Sequence, residues 1–134
     1  VQAQVQTIRA GIILAARDVF TLSNFYTEVL GFTASARFED PPYVILEKQG
    51  MRLSLTQDGT VGDDLPDVTF RVPHSAQERS ACLVLEVADC DAVRAELVGH
   101  NVNFRSDTFR PPWGGARFFV ADPENNLIEI EELA

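Results

Sequence analysis

At 134 residues the chain has the length of one domain, and 46% hydrophobic residues supply enough apolar side chain for a core. A formal net charge of −9, from 20 Asp and Glu against 11 Lys and Arg, excludes the basic footprint that nucleic-acid phosphates demand. No run approaches a membrane span, and Val1-Gln2-Ala3-Gln4-Val5-Gln6 lacks the basic-then-apolar order of a secretory leader, so a cytoplasmic protein without a membrane partner is expected.

Ile8 to Ala15 is an apolar run of strand length. Asp18 stands where a helix N-cap belongs, Leu22, Phe25, Tyr26 and Val29 recur at helical spacing, and Gly31 follows as the stop. Three more strands are predicted at Phe32 to Phe38, Tyr43 to Leu46 and Arg52 to Thr56, separated by the turn-rich Glu39-Asp40-Pro41-Pro42 and Glu47-Lys48-Gln49-Gly50. From Gln57 to Ser80 the chain is rich in Gly, Asp, Pro and Ser, with Val68 to Val72 as its only strand-like piece, and reads as a linker or functional loop.

The second half repeats the order. Cys82 to Val87 is a strand, Asp89 an N-cap, Val93 and Leu97 a helical stripe and Gly99 its stop. Strands follow at Val102 to Arg105, Arg117 to Ala121 and Leu127 to Glu131. The last two flank Asp122-Pro123-Glu124-Asn125-Asn126, a run of turn residues, and read as a hairpin. Laying Asp18 on Asp89 puts Gly11 on Cys82, and laying Gly50 on Asn125 puts Leu53, Ser54 and Leu55 on Ile128, Glu129 and Ile130. The chain is therefore an α+β protein of two βαβββ modules, residues 8–56 and 81–134, joined by a linker at 57–80. Cys82 and Cys90 sit at the two ends of a strand-like run without CxxC spacing, which fits reduced thiols and an intracellular protein.

Asn24-Phe25-Tyr26-Thr27-Glu28-Val29-Leu30-Gly31-Phe32 and Asp122-Pro123-Glu124-Asn125-Asn126-Leu127-Ile128-Glu129-Ile130 resemble the FYxxxLGF and DPxGNxxE signatures of the vicinal oxygen chelate superfamily. Its members include glyoxalase I, extradiol dioxygenases, fosfomycin-modifying enzymes and the bleomycin and mitomycin resistance proteins. The resemblance covers nearly all of residues 1–134 and implies a single glyoxalase/bleomycin-resistance domain. It also implies a curved eight-stranded wall around a cleft, and pairing into a homodimer.

The resemblance further implies four metal-ligand positions, which fall here on Gly11, Ser54, Cys82 and Glu129. Only Glu129 keeps a usual ligand: glycine has no side chain, a neutral serine is a poor donor, and Cys82 reads as a small residue on an apolar strand, with a soft-metal or nucleophilic role as the alternative. His74, in the linker, and His100, just past a helix stop, read as surface residues rather than substitutes.

Strand parity places Ile12, Leu14, Leu53, Leu55, Leu83, Leu85, Ile128 and Ile130 under the helices. Gly11, Ile13, Arg52, Ser54, Thr56, Cys82, Val84, Glu86, Leu127, Glu129 and Glu131 then face the other way, with Glu131 near the chain end read as merely solvated. Trp113, on the irregular Pro111-Pro112-Trp113-Gly114-Gly115 segment, either buries itself or awaits a ligand; in the resemblance a Trp-Gly pair there lies at the cleft mouth, where rings stack on flat parts of a drug. Phe38, Tyr43, Phe109 and Phe119 are candidate walls, and Arg117 is expected to pair with a carboxylate or touch ligand. The expected function is that of a binding protein of the bleomycin or mitomycin resistance type, without metal or other cofactor, which sequesters a planar or cationic compound. The alternative is a glyoxalase-like lyase, isomerase or dioxygenase acting on a small metabolite, with Glu129 as the remaining ligand of a divalent metal or as general base.

Overall fold

The computed structural model describes residues 3–134 and divides into two compact units, residues 1–72 and 73–134. In the first unit the element order is β1 (Gly11–Ala16), α1 (Val19–Glu28), β2 (Thr33–Glu39), β3 (Pro42–Lys48) and β4 (Met51–Gln57), followed by β5 (Thr60–Gly62) and β6 (Leu65–Phe70). The second unit has β7 (Leu83–Glu86), α2 (Cys90–Val98), β8 (Asn103–Phe104), β9 (Ala116–Ala121) and β10 (Leu127–Glu132). Each unit is a βαβββ module with the same sheet order, β1-β4-β3-β2 and β7-β10-β9-β8. In both, the first strand runs parallel to the last because a helix carries the chain across.

Both helices begin as their sequences require. Asp18 and Asp89 are extended residues whose carboxylates accept the backbone N–H of Thr21 and of Ala92, satisfying donors that the first helical turn leaves open. The amide and hydroxyl of Thr21 hold the Asp18 carboxyl below its ordinary pKa. Helix α1 buries Val19, Leu22, Ser23 and Tyr26, one stripe at i, i+3, i+4 and i+7. This stripe meets Val44, Leu46, Leu53 and Leu55, all inaccessible, and Tyr26 packs edge-on against Phe32 with centroids 5.4 Å apart. In the second module Cys90 and Leu97 of α2 pack over β9 and β10, whose Phe118, Val120, Ile128 and Ile130 are buried. Each such aliphatic side chain withdrawn from water contributes about 1.5–3 kcal/mol.

Several expectations need correcting. Strand β1 starts at Gly11, not at Ile8, which is fully exposed, and Ile12 is 41% exposed although parity put it under the helix. The segment 57–80 holds two strands, β5 and β6, paired as a hairpin, where only one strand-like piece was expected. Strand β8 has two residues, with Arg105 adding only a backbone bond to Phe119. Gly31 is left-handed at φ +74°, but Gly99 has an ordinary helical φ of −69°, and Asn101 at φ 56° makes the turn after α2. Among the described residues no helix is long and apolar enough to cross a membrane.

Candidate functional site

In the second module the hairpin turn sets the register on which the site depends. One Asp122 oxygen accepts the backbone N–H groups of Glu124 and Asn126, both at 2.9 Å, its other oxygen accepts the Asn126 amide, and Asn125 takes the left-handed residue of the turn. Glu129 thereby lies opposite Phe119, and Glu131 opposite Arg117; a one-residue slip would turn every one of these side chains to the other face. With Ile128 and Ile130 buried beneath α2, Glu129 and Glu131 stand on the face that the helix leaves open.

Arg117 reaches diagonally across that face. Its Nη1 donates to Glu129 Oε2 at 3.2 Å, and its guanidinium lies 5.5 Å from the Phe119 ring and 5.9 Å from that of Phe109. The Glu129 side chain is only 10% exposed, so its carboxylate is a nearly buried charge matched by one cation between two aromatic rings. Glu131 is different. The residue opposite it on β7 is Glu86, a like-charge pair in direct register, while its other neighbour Arg117 is engaged with Glu129.

Beside this array lies a pocket of about 350 Å³ whose wall includes Phe109, Trp113, Arg117, Glu131 and Leu133. Trp113 is 78% exposed at its rim. The loop that presents it turns through Gly114 and Gly115, at φ +101° and +82°. A Cβ on Gly115 would stand 2.6 Å from the Glu132 carbonyl oxygen, so only glycine lets the loop lie this close to β10.

The cysteines are chemically quiet. Burial pushes the Cys82 thiol above its ordinary pKa, and the negative charge of Glu129 adds to that effect against an opposing bond from the Glu129 backbone. Cys90 is raised by burial as well, and its Sγ lies 3.4 Å from the Ala116 carbonyl oxygen. Both are free thiols.

The first module gathers the other expected residues, Phe38, Tyr43 and Arg52. On its open face Arg52 Nε donates to Ser54 Oγ at 2.8 Å and Nη2 to the Tyr43 hydroxyl at 3.3 Å, while the Phe38 and Tyr43 rings lie 6.3 Å apart. Ser54 is inaccessible and Phe38 is 54% exposed. Gly11 sits opposite Arg52 in the parallel ladder, and a Cβ there would fall 2.2 Å from the Arg52 carbonyl oxygen. His74 and His100 are exposed, and among the described residues no three His, Cys, Asp or Glu side chains form a group able to hold a metal ion.

The structure thus brings Phe109, Trp113, Arg117, Phe119 and Glu129 together in the second module and Phe38, Tyr43 and Arg52 together in the first. Glu131, read from the sequence as merely solvated, is half-buried and lines the pocket. The signal was present in strand parity, which puts it on the Glu129 face, but nearness to the chain end argued for solvent.

The profile of the Glyoxalase/Bleomycin resistance protein/Dioxygenase superfamily matches residues 8–130. No curated protein matches the sequence. Similar solved structures include a glyoxalase/bleomycin resistance protein/dioxygenase from Nocardioides, 21% identical with a TM-score of 0.77, the alignment covering 98% of this chain and 86% of the other. A lactoylglutathione lyase from Agrobacterium tumefaciens is 17% identical with a TM-score of 0.74 over 96% and 95% of the two chains. TioX from Micromonospora sp. ML1 is 19% identical with a TM-score of 0.73 over 92% and 97%. At these identities the likeness shows the fold alone.

Proposed function

The chain belongs to the glyoxalase/bleomycin resistance protein/dioxygenase superfamily, and within it we propose a non-catalytic binding protein of the bleomycin or mitomycin resistance type, holding a planar cation in the pocket of its second module. The observation that carries this reading is the conjunction, on one pocket wall, of an exposed indole with a carboxylate that faces a second carboxylate in the ladder. A flat cation stacked on Trp113 gains dispersion and cation–π attraction, and it relieves the repulsion between Glu131 and Glu86. Glu129 plays a supporting part: it fixes Arg117, which lines the same pocket beside Phe109, and offsets its charge toward the ligand.

The donor chemistry does not fit a divalent metal in either module. In the first, Gly11 offers no donor and the Ser54 hydroxyl already faces a guanidinium; in the second, Cys82 is a lone half-buried thiol and Glu129 holds Arg117. A fixed cation on the one carboxylate repels a metal from it. Binding without a metal or other cofactor is therefore part of the proposal.

Trp113 is the only tryptophan in the chain, so intrinsic fluorescence reports on this pocket. Titration with proflavine, a planar cation, is expected to quench it saturably. Calorimetry should then show Trp113→Ala weakening proflavine by about 1–3 kcal/mol, the range of an aromatic anchor, and Glu131→Gln weakening it in a manner that salt diminishes. Unquenched fluorescence, or equal affinity in both variants, would overturn the reading. The homodimer belongs to the same proposal, supported by exposed Val61, Leu65 and Val68 on the β5–β6 hairpin and by open edges at β1 and β7. Light scattering is expected to give twice the chain mass at micromolar concentration, and a monomer mass there would remove it.

A further inference from the structure

We propose that the open face of the first module is a second binding site, of opposite preference, for a small carboxylate with an apolar body. This goes beyond the planar-cation reading, because it rests on other residues and takes a ligand of the other charge. It starts from the partners of Arg52. Its two hydrogen bonds go to neutral oxygens, Ser54 Oγ at 2.8 Å and the Tyr43 hydroxyl at 3.3 Å. A guanidinium has five N–H groups, so three have no partner among the described residues, on the terminal nitrogens where a carboxylate docks with two parallel bonds.

The carboxylate best placed to take them is otherwise engaged. Glu47 lies directly opposite Arg52 in the ladder, but it is paired with Arg9. Among the described residues no carboxylate lies within ion-pair distance of Arg52, in a chain whose net charge is −9. A half-buried arginine held in place by two hydroxyls, one of them on the inaccessible Ser54, is a donor array already oriented for an anion. Tyr43 accepts from Arg52, and its own O–H remains to donate.

The adjoining space specifies the rest of the ligand. A cavity of about 520 Å³ is lined by Arg9, Gly11, Ile12, Ile13, Arg52 and Phe70, within the range of small-molecule sites. Besides Arg52 and Gly11 its walls are Arg9, whose charge Glu47 already takes, two isoleucines and a phenylalanine, so a compact inorganic anion would leave the apolar part in water, whereas an aryl or branched alkyl carboxylate covers it.

Calorimetric titration of the intact protein with 2-naphthoate, its neutral counterpart 2-naphthamide and inorganic phosphate tests this. Naphthoate is expected to bind at least about tenfold more tightly than the amide, the difference being the charge-assisted pair, and than phosphate, the difference being the covered apolar walls. Arg52→Gln should abolish the preference for acid over amide, and Arg52→Lys, which keeps the charge without the fork, should retain part of it. Trp113→Ala, in the other module, should leave naphthoate affinity unchanged, so that failure here and failure of the planar-cation reading are separate results. Equal binding of acid and amide by the unmutated protein, a preference that survives Arg52→Gln, or phosphate binding as tightly as naphthoate would each overturn the proposal.

Discussion

The two modules share one topology and one register, yet they arrange charge on their open faces in opposite ways. In the ladder Tyr43 stands opposite Thr56 as Arg117 stands opposite Glu131, and Ser54 occupies the place that Glu129 takes in β10. In the first module the guanidinium comes from the last strand and rests on hydroxyls, so its charge stays available. In the second it comes from the neighbouring strand and neutralises the buried carboxylate, so the available charge is that of Glu131 and Glu86. The backbone thus fixes where side chains meet, and under the two binding proposals the residue types at corresponding positions, Tyr43, Ser54 and Thr56 against Arg117, Glu129 and Glu131, decide the sign of the ligand that each face prefers.

The sharpest way to break this comparison is at the start of each module. Gly11 and Cys82 correspond in the repeat, but Gly11 leaves no room for a side chain, since a Cβ there would stand 2.2 Å from the Arg52 carbonyl oxygen and 2.7 Å from Arg52 Cβ. Neither can yield without separating β1 from β4. Gly11→Val is expected to cost about 1–3 kcal/mol or more, as overpacking does, whereas Cys82→Val, at a half-buried position, should stay below about 1.5 kcal/mol. Urea midpoints measure both, and equal shifts would mean that the two strand starts are equivalent after all.

How much of this was legible in the sequence depends on the length of the pattern that encodes it. The alternation in β4 and β10 spans a whole strand, so the sides taken by Leu53, Leu55, Ile128, Ile130 and Glu129 could be read directly. The caps Asp18 and Asp89 were equally plain, since a helix start needs an acceptor at one fixed position. The β5–β6 hairpin was missed because β5 has three residues, one of them glycine, and β6 contains Pro66, so neither presents a period. Which carboxylate Arg117 would choose was not legible either. Glu131 faces it directly, and the preference for the diagonal Glu129 arises from desolvation, a property of packing rather than of spacing.

An intermediate effect is expected from removing each arginine. Arg117→Met leaves the Glu129 carboxylate, 10% exposed, without its cation, at about 1–3 kcal/mol for an unsatisfied charged group. The lower half of that range is expected, because the Arg117 side chain is 48% exposed and water can follow it in. Arg52→Met loses bonds to two hydroxyls, about 0.5–1.5 kcal/mol for each. The discriminating measurement is the second substitution: Glu129→Gln should recover much of the Arg117→Met loss, while no single carboxylate substitution should recover that of Arg52→Met. If thermal unfolding shows no coupling between Arg117 and Glu129, the bond between them has no energetic weight and the contrast between the modules loses its second half.

The smallest effect separates the helix ends, where the two modules look alike in sequence and differ in backbone. Gly31 has φ +74°, a conformation that costs an L-residue with a Cβ about 1–2 kcal/mol, so Gly31→Ala should destabilise by about 1 kcal/mol. Gly99 has φ −69°, and a Cβ there would meet nothing closer than the Glu96 carbonyl oxygen at 3.5 Å, an ordinary contact. Gly99→Ala should therefore be neutral or stabilising by about 0.4–1 kcal/mol, because alanine has fewer unfolded conformations to lose. The left-handed position after α2 belongs instead to Asn101 at φ 56°, and Asn101→Ala should destabilise too, by less than Gly31→Ala because asparagine already carries a Cβ there. Chemical denaturation of the three variants decides the matter. A loss for Gly99→Ala equal to that for Gly31→Ala would show that both helices end on a left-handed glycine, and that the modules differ in their side chains alone.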